Sequence, residues 1–99
     1  MKLKQLSIEE AGDLVAELRG MAELPADTNA AALRRAKEIR FLLQGQAFST
    51  PSSSAKADEV YRDLETLLHA TRWREAVSLE SLRKDIKSSC ERLKAHLGL

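Results

Sequence analysis

Side chains that commonly carry out chemistry are few in this chain. The two histidines, His69 and His96, stand far apart, and neither has a set of histidine, cysteine or carboxylate residues at metal-ligand spacing. Glu65, one helical turn before His69, would orient its ring without making a site. No G-x-S-x-G turn occurs, and four scattered glycines form no phosphate-binding loop. The sequence therefore predicts no metal and no cofactor, and it favours a protein that is not an enzyme.

One pair of residues matches a catalytic motif. The segment RDLETLLH runs from Arg62 to His69, and seven positions are nearly two helical turns, so both residues would share a face. This spacing resembles the R-x(4–6)-H signature of HEPN ribonucleases, which are small helical bundles. The resemblance implies RNA cleavage across a dimer, with Arg62 holding phosphate and His69 transferring protons. The alternative is an ordinary exposed pair on a charged helix.

Length and composition indicate one small helical domain, residues 1–99. With only four aromatic residues, the core must consist of leucine, isoleucine, valine and alanine, which favours helices. The single cysteine, Cys90, excludes an internal disulfide. No apolar run approaches the roughly 20 residues of a membrane helix, and the first residues do not resemble a signal peptide. We therefore expect a cytoplasmic protein that does not enter a membrane.

Apolar spacing and capping residues predict four helices, at about residues 7–20, 28–44, 54–71 and 78–97. Ser7 and Glu10 form a capping-box pattern, and Asp27 or Thr28 is the expected cap of the second helix. The segment GQAFSTPSSS, residues 45–54, is typical of a flexible loop. Two antiparallel helical hairpins joined by this loop would form an all-α four-helix bundle.

The last predicted helix carries the strongest pattern. In SLESLRKDIKSSCERLKAHLGL, the apolar residues recur at gaps of three or four and define a narrow packing face, which places Cys90 in the core. The end of this segment, SSCERLKAHLGL, resembles the recognition helix of bacterial helix-turn-helix domains, which implies two helices and DNA binding. Those domains need a short turn, and DIKSS provides none, so a single helix ending at Gly98 is favoured.

Charge is distributed in segments of alternating sign. Residues 1–24, 25–45, 46–70 and 71–99 carry net charges of −2, +2, −2 and +3, although the whole chain carries only +1. Helices of opposite sign would attract one another in a bundle. The whole-molecule charge gives no reason to expect a polyanionic partner.

Two groups of residues are candidates for binding. The first is aromatic and basic, on the predicted outer sides of the helices, and comprises Arg34, Lys37, Phe41, Arg72 and Trp73. The second is a basic stripe on the last helix, comprising Arg83, Lys84, Lys87 and Lys94. The alternative for the first group is packing of its aromatic rings on the loop or the helix turn. The alternative for the second group is that it forms a solvent-exposed edge of the helix, where the methylene chains of the lysines cover the apolar face.

Three functions are consistent with these patterns. The leading hypothesis is a protein-interaction module, such as an adaptor, inhibitor, regulator or complex subunit, because aromatic residues beside arginine are enriched at interface centres. The second is a nucleic-acid-binding regulator using Arg34, Arg35, Lys37, Arg83, Lys84 and Lys87. The third is the RNase-like enzyme. A protein is the expected partner, and a homo-oligomer is left open.

Overall fold

The computed structural model describes residues 4–69 and 78–99, and these ranges hold α-helices and no strand. The helices are α1 (Ile8–Gly20), α2 (Ala30–Gln44), α3 (Pro51–Leu68) and α4 (Leu79–His96), and a 3-10 turn (Met21–Glu23) extends α1. The predicted all-α four-helix bundle is confirmed. Within the described ranges, no helix is at once long and apolar enough to cross a membrane.

Of the predicted caps of the first two helices, the first is confirmed and the second is wrong. Ser7 and Glu10 form the predicted capping box, each side chain accepting a hydrogen bond from the other's backbone N–H. The cap of α2 is Asn29, whose side chain accepts a hydrogen bond from the backbone N–H of Ala32 at 3.0 Å. The prediction of Asp27 or Thr28 is wrong, because the Asp27 carboxylate accepts from the backbone N–H of Thr28 instead.

The loop between α2 and α3 is shorter than predicted. Thr50 caps α3 and forms a capping box with Ser53, and Pro51 occupies the first helical position, where its missing N–H costs nothing. The helix therefore begins three residues before the predicted start, and residues 51–54 belong to it. In the remaining residues 45–50, Gln46 is buried and Phe48 packs against the core.

Successive helices are antiparallel, and α4 packs back onto α1 to close the bundle. At each interface, residue numbers increase along one helix as they decrease along the other. The contacts that show this are Leu6–Gln46 and Glu17–Arg35, Asn29–Leu68 and Gln44–Asp58, Glu59–Ser89 and Asp63–Asp85, and Arg19–Glu91 and Glu23–Lys87. The most extensive interfaces are those of α3 with α4 and with α2. The interface between α1 and α2 is the least extensive of the four, which leaves a groove between these two helices.

The predicted packing face of α4 lies in the core. Five of its six residues are buried and Leu79 is half-buried; the five are Leu82, Ile86, Cys90, Leu93 and Leu97. The helix is continuous from Leu79 to His96, so the segment does not form a helix-turn-helix. Gly98 follows with a positive φ of 77°, and the backbone N–H of Leu99 donates to the carbonyl of Lys94, which confirms the predicted glycine ending.

Candidate functional site

The side of α2 that faces away from the bundle carries the first candidate group. Arg34, Lys37 and Phe41, which we name the α2 stripe, lie within an arc of about 60° at 100° per residue. The opposite side of the helix is buried. Phe41 is 67% exposed, and among the described residues the only other large hydrophobic residue this exposed is Ile8. The predicted outward orientation of Phe41 is therefore confirmed, and most of this residue is open to solvent.

The basic residues of α2 divide into two kinds. Arg35 binds Glu17 of α1 with two of its guanidinium nitrogens, and the guanidinium of Arg40 lies 4.3 Å from the centre of a tyrosine ring on α3. Within the part of the chain that the structure describes, Arg34 and Lys37 form neither an ion pair nor a side-chain hydrogen bond. The cations that face neighbouring helices are therefore engaged, whereas those of the stripe are available to a partner.

The basic stripe of α4 is partly used within the chain, and Arg83 is its clearest case. This half-buried side chain donates from Nε to the carbonyl of Ala22 at 2.9 Å and from Nη2 to the carbonyl of Leu24 at 2.7 Å. Both carbonyls follow the end of α1 and lack helical partners of their own. Arg83 therefore fastens the end of α1 to α4, a role that the sequence did not predict.

Lys87 is engaged in the same region. It forms an ion pair with Glu23, and the hydrogen bond from Lys87 lowers the pKa of that carboxyl. Lys84 and Lys94 are exposed and make no ion pair with the residues that the structure describes. Two of the four members of the stripe thus hold the end of α1 against α4, and two remain open to a partner. Of the two contacts, only the Lys87–Glu23 ion pair is of the kind that the alternating charge of the helices predicted.

The remaining predicted site residues are Arg72 and Trp73 of the first candidate group and the Arg62–His69 pair. Arg72 and Trp73 lie outside the described residues. Helix α3 ends at Leu68, so His69 is its C-terminal cap, with an extended backbone and a half-buried side chain, whereas Arg62 is an exposed residue of the helix. A catalytic pairing of Arg62 with His69 stays a prediction.

A second surface, the groove between α1 and α2, was not predicted from the sequence. Its floor is apolar and half-buried, formed by Leu6, Leu14 and Leu42. Its rim is mostly acidic, with four carboxylates against two bases, a net charge of −2; these are Glu10, Asp13, Glu17 and Glu38 against Lys4 and Arg35. The signal in the sequence is the spacing of the α1 acids at positions 10, 13 and 17, which places them on one side of the helix.

Two of the rim carboxylates, Glu17 and Glu10, have lowered pKa values. The hydrogen bond from Arg35 lowers the pKa of Glu17, and the backbone N–H of Ser7, together with Lys4, lowers the pKa of Glu10. Asp13 forms no ion pair with any described residue. The groove therefore offers an apolar floor below a negative rim, directly beside the positive α2 stripe.

A polar pocket lies between α3 and α4. Glu59, Asp63, Asp85 and Arg92 line it, and burial together with the two neighbouring carboxylates raises the pKa of Asp63. Within residues 4–69 and 78–99, no three histidine, cysteine, aspartate or glutamate side chains are arranged to hold a metal ion.

Comparison of the chain with models of known protein families, with curated proteins and with solved structures finds no significant match. A four-helix bundle serves many unrelated functions, so the fold by itself does not identify one. The surfaces described above are therefore the basis of the functional proposal.

Proposed function

We propose that this protein is a non-enzymatic interaction module that binds another protein through the α2 stripe. An adaptor, an inhibitor, a regulator and a complex subunit all fit this description. The observation that supports it is the exposure of Phe41 beside two cations, Arg34 and Lys37, that have no partner among the described residues. Aromatic residues with adjacent arginine are enriched at the energetic centres of interfaces.

The stripe has little part in folding. Phe41 points away from the core, so its ring contributes little apolar burial to the folded chain. Burying it against a partner would contribute about 1.5–3 kcal/mol to binding. A substitution at this position is therefore expected to weaken binding without weakening the fold, which makes the proposal testable.

The nucleic-acid alternative has fewer open cations than its sequence pattern indicated. Three of its six basic residues, Arg35, Arg83 and Lys87, are engaged inside the chain. Binding to phosphates would weaken steeply as salt is raised, because counterions are released on binding. Binding centred on Phe41 would change far less, so a salt titration of any complex separates the two functions.

The test of the proposal is site-specific photo-crosslinking from position 41. A benzophenone amino acid replaces Phe41 in the full chain, and the variant is irradiated in an extract of its own host. The matched control places the same group at Ile8, which is 65% exposed on α1 and lies outside the stripe. We expect a discrete protein adduct from position 41 that is absent or much weaker from position 8.

The composition of the adduct and its loss on mutation complete the test. The adduct should contain polypeptide, resist nuclease treatment and diminish when Arg34→Ser and Lys37→Ser are added. Equal labelling from positions 41 and 8, or an adduct that nuclease removes, would show that the stripe is not a protein-binding surface.

A further inference from the structure

The two surfaces of the α1–α2 side have complementary chemistry. The α2 stripe presents an aromatic ring and two cations without partners, with a charge of +2. The groove presents an apolar floor below a rim with a net charge of −2. A ring flanked by positive charge fits a groove of this kind, because the floor would bury the ring while the rim attracts the cations.

The stripe cannot occupy the groove of its own chain, since the two lie on different sides of α2. Leu42 and Glu38 face the groove, whereas Phe41 is turned away from the bundle. A stripe that fills such a groove therefore fills the groove of another molecule, and each copy of this chain carries both a stripe and a groove.

We infer that a second copy of this chain is the partner at the α2 stripe, with Phe41 of each copy inserted above Leu6, Leu14 and Leu42 of the other. This inference rests on the proposed function and names its partner. Stripe and groove adjoin on one helix, so a two-fold axis beside α2 brings both pairs together at once. Such an interface is isologous and closes at two copies.

Charge complementarity determines which surfaces meet in this dimer. Arg34 and Lys37 approach the rim of the partner, where Asp13 has no ion pair of its own among the described residues. The Arg35–Glu17 ion pair links α2 to α1 at one end of the groove. Each of the two contacts in the dimer therefore joins a positive surface to a negative one.

A charge exchange between two variants tests the arrangement. The stripe variant carries Arg34→Glu with Lys37→Glu, and the groove variant carries Asp13→Lys with Glu38→Lys, which leaves the Arg35–Glu17 pair in place. Sedimentation of the full chain over micromolar to submillimolar concentrations should give a monomer–dimer equilibrium for the wild type. Each variant alone should associate at least about tenfold more weakly, because like charges then meet at both contacts.

The mixture of the two variants provides the decisive measurement. In a heterodimer, the negative stripe of one chain meets the positive rim of the other at the first contact, and the reverse holds at the second. We expect equimolar mixing to restore dimerisation. Far-ultraviolet circular dichroism of each variant controls for the fold, and Phe41→Ser, which alters no charge, should weaken association in the wild-type background.

The outcomes separate this inference from the proposed function. A wild type that stays monomeric at every concentration, or variants that do not restore each other, would overturn the second-copy partner. If position 41 then crosslinks to a different polypeptide, the interaction module stands and only its partner changes. If position 41 crosslinks to nothing beyond the position 8 control, both proposals fail.

Discussion

Gln46 is hydrogen-bonded to Leu6 across 40 positions of the chain. Its side-chain oxygen accepts from the backbone N–H of Leu6 at 2.8 Å, and its amide nitrogen donates to the carbonyls of Lys4 and Leu42 at 2.8 and 2.9 Å. The side chain is buried at the point where α2 ends. This one residue ties the segment before α1 to α2, and it thereby fixes one end of the groove.

Replacement of Gln46 by alanine is therefore expected to destabilise the protein. It removes three hydrogen bonds and leaves the Leu6 N–H without its partner, so the free energy of unfolding should fall by about 2–3 kcal/mol. Urea denaturation measures the change. Gln5→Ala is the matched control, because Gln5 is exposed and forms no hydrogen bond or ion pair with other described residues; it should shift stability by no more than about 0.5 kcal/mol. Equal effects would show that Gln46 has no anchoring role.

The hydrogen bonds of Gln46 to Leu6 and Lys4 join distant parts of the chain, and no local sequence pattern predicts them. The helices, the core face of α4 and the outward position of Phe41 follow from periodicity, which needs only local information. The 45–54 segment was predicted to be a loop because serines and a proline dominate it. Thr50 and Ser53 instead form a capping box, and the same residue types start a helix when their spacing fits.

The groove and the engaged cations depend on tertiary packing. No local pattern shows that Arg83 reaches two carbonyls about 60 positions earlier in the chain, with separations of 61 and 59 residues. Nor does it show that α1 and α2 separate enough to leave Leu14 and Leu42 partly exposed. Helical periodicity places both leucines on the core side of their helices, but it does not distinguish the centre of that side from its edge.

Arg83 should contribute to stability rather than to binding. Its two hydrogen bonds to the Ala22 and Leu24 carbonyls come from a charged donor on a half-buried side chain. We expect Arg83→Ala to lower the free energy of unfolding by about 1–2 kcal/mol. Lys84→Ala, at the exposed neighbouring position, should change it by no more than about 0.5 kcal/mol. If the nucleic-acid function were correct, Lys84→Ala would reduce binding, and this pair of variants would separate folding from phosphate contact.

Asp63 is placed where its charge opposes folding. Burial first, and then the charges of Glu59 and Asp85, raise its pKa above the ordinary value for an aspartate. A pKa that is higher in the folded state means that stability from this group is present at low pH and is lost as pH rises through the folded value. At neutral pH, Asp63→Asn should therefore increase the free energy of unfolding, and the gain should disappear in acid.

Asp58→Asn is the comparison for Asp63, because both aspartates lie on α3 with similar exposure. Asp58 accepts a hydrogen bond from Gln44 at 2.8 Å and lies 3.7 Å from a guanidinium nitrogen of Arg40. Its substitution should reduce stability at neutral pH, the opposite sign to Asp63→Asn. Chemical denaturation at neutral and acidic pH measures both, and the same sign for the two variants would contradict the proposed difference in their surroundings.

Cys90 should make the protein less stable in alkali. Burial raises the pKa of its thiol to about 12, whereas an unfolded chain ionises near the ordinary value. Because the unfolded chain loses this proton first, stability is complete below the unfolded pKa and declines as pH rises toward the folded one. Between about pH 9 and about pH 10.5, the wild type should lose about 1.5 kcal/mol more than Cys90→Ala.

The alanine variant starts lower at neutral pH, since it leaves a cavity in the core, so the two stability curves should converge as pH rises. Parallel curves would mean that the thiol ionises equally in the folded and unfolded chains, and Cys90 would then be open to water rather than sealed in the α4 packing face.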